Sequence, residues 1–317
     1  MAEAQGGAFP LVGMHWGDFS VAEDVTNIIY QLTPEDTPVF NTTGDTRSSG
    51  VLHQWQTRAI GGRTHNAQAE GAVYAFTAEI VQVDARRFNV CQNMNKNVRV
   101  SSTQVAIDHY AINNTAQDQM TIRGTELKMD IEHAMINGTV ASGSTVTTAR
   151  KMQGLINAIV SGVSTYTTYA AGVSLSETFF NDHIQTCWSF GSKPADWYSH
   201  GYMRRKLSGF TSGNTKVISA EAQATVNTQS VYDSDFFRVK LHLCRDVPFQ
   251  IASGAFSGYT GYGLLGLDTS FVKKAWLQPI TAQRTAKVAS SIDGVLETEL
   301  CIEWGHPNAH FYLKGAL

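Results

Sequence analysis

The sequence predicts an α+β fold, and three observations carry that expectation. Two β-prone runs flank a small, polar tip between residues 51 and 90. One long helical run fills Asn114–Asn137. A strictly alternating strand stands near the C-terminus. The chain has 317 residues, 43% of them hydrophobic, enough for one large or two ordinary domains with real cores. Charged residues make up only 16%, below the usual quarter or so, which suits a surface covered by partners. The net charge of −3 and the absence of a long Lys/Arg run argue against nucleic-acid binding as the main task.

Residues 1–45 read as an irregular arm, because the two prolines of "TPEDTPVF" (Thr33–Phe40) favour turns and extended chain. "VLHQWQTRAI" (Val51–Ile60) is β-prone. Beyond the tip "GGRTHNAQAEGA" (Gly61–Ala72), the run Glu79–Val90 alternates Val81, Val83 and Ala85 with Gln82, Asp84 and Arg86. Together these make a long two-stranded arm, which must lie on something else because an isolated hairpin is marginal in water.

In the helix Asn114–Asn137, a period of 100° per residue puts Met120, Leu127, Ile131, Ala134 and Met135 on one face. Ile122, Met129 and Ile136 fall on a second, opposite seam. Two seams imply a helix held between two layers, and Gly138 is the expected C′ residue. Ser174 with Glu177 reads as a capping box opening a helix through Cys187 that ends near Gly191, and a short helix follows around Tyr202–Leu207, with Gly209 after it. Strands are expected at Lys216–Ala220, Phe236–Cys244 and Leu296–Trp304. A Pro307–Asn308 turn then leads to a last strand.

No pattern carries catalysis. Glu126, Asp130 and His133 lie at i, i+4 and i+7 on the long helix, but no second ligand-bearing helix accompanies them, so a metal role is not expected. "GYGLLG" (Gly261–Gly266) matches G-x-G-x-x-G but lacks an acid about 20 residues on, and reads as a loop. "MRRKL" (Met203–Leu207) is read as cations near a helix terminus. Cys91, Cys187, Cys244 and Cys301 show no C-x-x-C spacing and read as free thiols of a protein made in a cytosol. No cofactor and no metal are expected. The start lacks a signal peptide, and no stretch approaches a membrane span.

The order of an arm, a long hairpin, a two-faced helix, a mixed central region and a return to strands resembles the major capsid protein of tailed bacteriophages, the Hong Kong 97-type fold. "TPVFNTTGD", "EGAVYAF" and "VSSTQVAIDHY" followed by "ELKMDIEHAMING" are similar to one subgroup. The resemblance implies an N-arm (1–45), an extended loop (46–100), a peripheral domain with a spine helix (101–165 and 265–317) and an axial domain (166–264). It implies no enzyme, but a subunit that forms hexamers and pentamers of an icosahedral head shell enclosing a double-stranded DNA genome, assembled in the host bacterial cytoplasm. Expected partners are the chain itself, separate scaffolding and portal proteins, a cement or decoration protein, and packaged DNA through non-specific contacts, with no membrane. The arm begins almost at once, without a long leading scaffolding segment. No lysine precedes Lys96, so a lysine cross-link from the loop tip is not expected. Candidate assembly contacts are Ile122, Met129, Ile136, Arg58, Arg63, Arg86 and Arg87. The alternatives are an encapsulin-like compartment shell, another phage structural protein, or a soluble enzyme built on residues 166–264.

Overall fold

The computed structural model describes residues 35–58, 63, 65–73, 85–107, 109, 112, 114–143, 148–162, 166–168, 175–210, 218–219, 224–225, 230–248, 262–286 and 289–316. Most of the 1–45 arm, the run Glu79–Asp84 and Ser174 fall outside these residues.

The first element is a short helix, α1 (Pro38–Thr42), with proline in its first turn, where the missing N–H costs nothing. Strand β1 (Gly44–Arg47) follows, then β2 (Leu52–Thr57) and β3 (Ala85–Val90), which pair antiparallel with Leu52 opposite Val90 and Thr57 opposite Ala85. These two strands are the base of the expected hairpin arm. Strand β4 (Gln92–Ser101) begins two residues after β3 and joins a different sheet, so the hairpin pairing ends at Val90.

One sheet has four strands in the order β1-β12-β13-β4, with β12 spanning Lys273–Arg284 and β13 Ser291–Glu303. β13 pairs antiparallel with β4 along ten residues, from Ser291 opposite Ser101 to Leu300 opposite Gln92. Pro279 interrupts β12 where the register shifts between Gln278 and Thr281, as expected for a strand proline, which lacks a donor for the ladder.

After a short helix α2 (Ser102–Ala106), the long helix α3 (Thr115–Asn137) lies across this sheet, capped by Asn114, whose side chain accepts from Gln117 N. Leu127, Ile131, Met135 and Ile136 of α3 are fully buried with Met94, Leu296, Leu300 and Ile302 of the sheet. Each large side chain sealed this way contributes roughly 1.5–3 kcal/mol. The helix α4 (Leu155–Gly162) packs beside the end of α3 through a close crossing of two glycines. Gly154 N donates to Gly138 O at 2.8 Å. A Cβ on Gly138 would come within 2.6 Å of Met152 O, and one on Gly154 within 2.7 Å of Ile136 O. Gly138 has a φ of −52°, so close approach, rather than the left-handed backbone expected of a C′ residue, requires glycine there.

The second sheet has six strands in the order β5-β14-β11-β6-β10-β9: Tyr166–Thr168, Phe311–Ala316, Tyr262–Leu267, Asp196–Ser199, Arg238–Leu243 and Val231–Asp233. Residues 265–317 therefore divide between the sheets: β12 and β13 join the first, β14 the second. A two-residue pair, β7 (Ile218–Ser219) and β8 (Ala224–Thr225), stands apart.

Helices α5 (Glu177–Ser189) and α6 (Gly201–Phe210) carry the core on one face of the six-stranded sheet. Alternation along the central strands sends neighbours to opposite faces. Trp197, Leu264 and Phe311 meet α5 and α6, while Tyr198, Leu265 and Tyr312 join the core of α3 and α4. Buried on both faces, these strands lose the polar half of the alternating pattern.

Three expectations are corrected at this level. Tyr262–Gly266 of the G-x-G-x-x-G match is strand β11, not a loop, and a Cβ on Gly263 or Gly266 would press on Tyr312 or Trp197. The α5 cap is Ser176, which accepts from Phe179 N, rather than Ser174. Gly209 lies inside α6 instead of after it.

Candidate assembly surfaces

The hairpin base sorts its residues by face. His53, Trp55, Thr57, Arg87 and Asn89 turn inward, while Leu52, Gln54, Gln56, Arg86 and Phe88 turn outward and are exposed. The inward face is bound to the end of β13. His53 Nε2 lies 2.9 Å from Glu303, and Trp55 Nε1 donates to Gly305 O at 2.7 Å while its ring meets Trp304 edge-on. Asn89 is fully buried and uses its whole amide. Its Nδ2 donates to Ile302 O (2.7 Å) and Gln153 O (3.1 Å), and its Oδ1 accepts from Val90 N and Gln153 N (both 2.8 Å). The outward face holds Leu52 and Phe88, 47% and 52% exposed. Pairing sets Phe88 opposite Gln54, beside Leu52 on the same side.

The segment leading into the hairpin is anchored on α3. Glu132 is fully buried and accepts from Val39 N (2.9 Å) and Phe40 N (2.6 Å), two of the free donors that open α1. Burial outweighs these donors and pushes the Glu132 carboxyl up to about 7. Lys274, from β12, donates to Phe40 O at 2.8 Å and lies 4.0 Å from the centre of the Phe40 ring. Thr42 and Tyr198 share a hydroxyl hydrogen bond, and β1 pairs with β12. The segment Pro38–Arg47 is thus tied to α3, β12 and β6. Glu132 was not legible as a functional residue. Its one signal was a charge beside the apolar stripe of the long helix.

The expected contact residues separate on these surfaces. Ile122 and Met129 of α3 are half-buried. Ile136 is corrected: it is fully buried in its own subunit's core, in one cluster with Leu155, Ile156 and Ile159, because α4 closes over that end of the helix. Arg58, Arg63 and Arg86 are exposed. Arg87 turns inward and is half-buried, lining a cavity of about 140 Å³ with Gln153, Ala158, Ser161 and Trp304. A larger cleft of about 640 Å³ opens at the hairpin base between Trp55, Arg58, Phe190, Phe271 and His306.

Glu126, Asp130 and His133 of α3 are engaged in ion pairs, and Lys96 bridges the first two, at 3.8 Å from Glu126. Glu126 pairs with Arg123 (2.6 Å), Asp130 with Lys96 (2.6 Å) and His133 with Asp246 (3.2 Å). The Asp246 hydrogen bond raises the His133 pKa. Glu132, Cys244 and Asp246 bring their ligand atoms within 4.8 Å of one another. Both Glu132 oxygens already accept backbone N–H groups, which accounts for that carboxylate without an ion. In "MRRKL", Met203 and Leu207 are core residues, and Arg204 donates to Leu241 O at 2.8 Å.

Known proteins give the same architecture. The capsid subunit of a native GTA particle matches with a TM-score of 0.64 at 11% identity, over 96% of this chain and 98% of that one. The capsid protein of the cyanophage P-SCSP1u matches at 0.61 and 13%, over 100% and 99%. An encapsulin of Synechococcus elongatus PCC 7942 matches at 0.58 and 11%, over 93% and 92%. At these identities the likeness shows the fold, which is the Hong Kong 97-type. No curated protein matches in sequence. The family model described as SU10 major capsid protein matches residues 9–316, nearly the whole chain, and the protein therefore belongs to the SU10 major capsid protein family.

Proposed function

We propose that this subunit tiles the head shell of a tailed phage by laying its hairpin arm on a neighbouring copy. The observation that carries this reading is the hairpin's two-sidedness. Its inner face is fixed to β13 by Trp55, His53 and Asn89, while its outer face holds Leu52 and Phe88 in solvent. An apolar pair held outward on a rigid base suits a partner surface. Head-shell membership follows from the family, and its energy comes from modest contacts multiplied by symmetry.

In the same reading, the four-stranded sheet with α3 and α4 forms the peripheral domain, and the six-stranded sheet with α5 and α6 forms most of the axial domain. Ile122, Met129, Arg58, Arg63 and Arg86 face neighbouring copies. Pentamers and hexamers enclose double-stranded DNA with separate scaffolding, portal and decoration proteins, in a host cytoplasm. The fold match to an encapsulin keeps a compartment shell as the second reading, and the phage family of the sequence favours the first.

Phe88→Asp tests the arm. The side chain makes no part of the subunit's core, so the variant should fold with an unchanged melting temperature and form no closed shells by negative-stain electron microscopy. Normal shells from Phe88→Asp would remove the role given to this face.

A further inference from the structure

We propose that Cys91 and Cys301 are a built site for oxidative modification, where a peroxide closes a cross-strand disulfide between the hairpin base and β13. Their sulfurs lie 3.3 Å apart and both side chains are fully buried. The two residues face each other one step beyond the last ladder pair, Leu300 opposite Gln92. Cys91 N donates to Val51 O at 2.8 Å, so that N–H is turned away from β13. The two cysteines therefore occupy a position without mutual hydrogen bonds, where strands bring side chains closest and Cα atoms lie about 4.5 Å apart. That separation is within the range a disulfide spans, roughly 4.4–6.8 Å.

The pair has its own cover. Cys91 Sγ is 3.6 Å from Ser48 Oγ and 3.5 Å from Gly50 O, in the bend joining β1 to β2. That bend continues into Val51, 43% exposed, so a short surface segment is what must open to admit a small oxidant. The neighbouring Cys301 S–H lowers the pKa of Cys91 and makes it the attacking sulfur, whereas burial pushes Cys187 and Cys244 up to about 12.

The reaction runs in two steps. The Cys91 thiolate attacks one oxygen of hydrogen peroxide, the O–O bond breaks, and Cys91 sulfenic acid and hydroxide form, the hydroxide leaving as water with the thiol's proton. The Cys301 sulfur then attacks the Cys91 sulfur, the S–O bond breaks, and a second water leaves. Two thiols are oxidised by two electrons in all, and one peroxide is reduced to two waters. The bond closes a loop spanning 210 residues and ties the strand leading from the hairpin to the strand on which the hairpin rests. A subunit made reduced in a cytosol would gain this bond on meeting an oxidising medium.

The full chain is treated with hydrogen peroxide under native conditions, quenched, and digested without reductant for mass spectrometry. The expected product is one linked peptide pair joining Cys91 to Cys301 within a subunit, lighter by about 2 Da than the reduced pair. Cys187 and Cys244 should stay reduced, and the melting temperature should rise by about 5 °C, returning with dithiothreitol. Cys91→Ala and Cys301→Ala should each abolish both changes. Failure to find the linked pair in native protein, or its appearance only after denaturation, would overturn the proposal.

Discussion

Asn89 shows how one polar residue joins three elements. Its four amide hydrogen bonds tie the hairpin to the α3–α4 connection and to β13, at zero exposure. Asn89→Asp keeps the shape and removes both donors, leaving the Ile302 and Gln153 carbonyls to face a carboxylate. A loss of about 2–4 kcal/mol is expected in urea unfolding, from buried groups left unpaired.

His310 and Glu132 give opposite pH dependences. His310 is fully buried, donating from Nε2 to Trp304 O and accepting at Nδ1 from Asp268 N, and burial pulls its pKa down to about 4. Unfolded histidine titrates near 6.5, so the unfolded chain takes up the proton first. The stabilisation is complete above about pH 6.5 and falls by about 3 kcal/mol as pH drops to about 4. For Glu132, with its pKa raised, the stabilisation is complete below about pH 4.5 and is lost as pH rises through about 7. Stability measured from pH 4 to 7 on wild type, His310→Gln and Glu132→Gln checks both signs. The advantage of wild type over His310→Gln should shrink toward acid, and its advantage over Glu132→Gln should shrink toward neutral pH. Neither residue was legible in the sequence as a titrating group. A lone His before an aromatic strand and a Glu in a polar helix flank acquire their burial only from distant partners.

Helix α3 was the most legible element, because a long helix with a good cap and few competing signals is settled by local periodicity. Of its inner stripe, Leu127, Ile131 and Met135 were read correctly as core, while Met120 and Ala134 are half-buried at its margin. The fate of Ile136 was not, because it depends on α4, which appeared in sequence only as a short apolar run. Leu127→Ala and Ile136→Ala should therefore both lower stability by about 2–5 kcal/mol in thermal or urea melts. Met129→Glu, on the half-buried seam, should cost the isolated subunit less and yet prevent shells from closing. Unfolding of Met129→Glu as severe as that of Leu127→Ala would mean that Met129 also belongs to the inner core. Gly154→Ala should cost about 1–3 kcal/mol or more, since the neighbouring atoms at that crossing are backbone. Strands β11 and β12 were missed for physical reasons. β11 is buried on both faces and carries glycines that admit Trp197 and Tyr312, and β12 contains a proline at its bulge. Neither shows the period of two that marks a half-buried strand.

Two sheets share a core in the whole molecule, since Tyr198, Leu265 and Tyr312 of one join the packing of α3 against the other. The hairpin base and α1 are both fixed to this shared body, the first at the end of β13 and the second on Glu132. The order of hairpin base, long helix and returning strands was legible because each is a stretch of distinct composition. The division of the last 50 or so residues between two sheets is a property of topology, which no local pattern encodes. Replacing Gly61–Gly71 by a short glycine turn removes the reach of the arm and leaves its base. The subunit should stay folded by circular dichroism and fail to close shells.

In the assembly proposed above, the hairpin's outer face is an interface between copies. Electron cryomicroscopy of particles formed by the wild-type chain tests it most directly. Closed shells are expected in which Leu52, Phe88 and Arg86 of each copy lie against a neighbouring copy. A chain that stays monomeric, or shells in which that face is left in solvent, would contradict it.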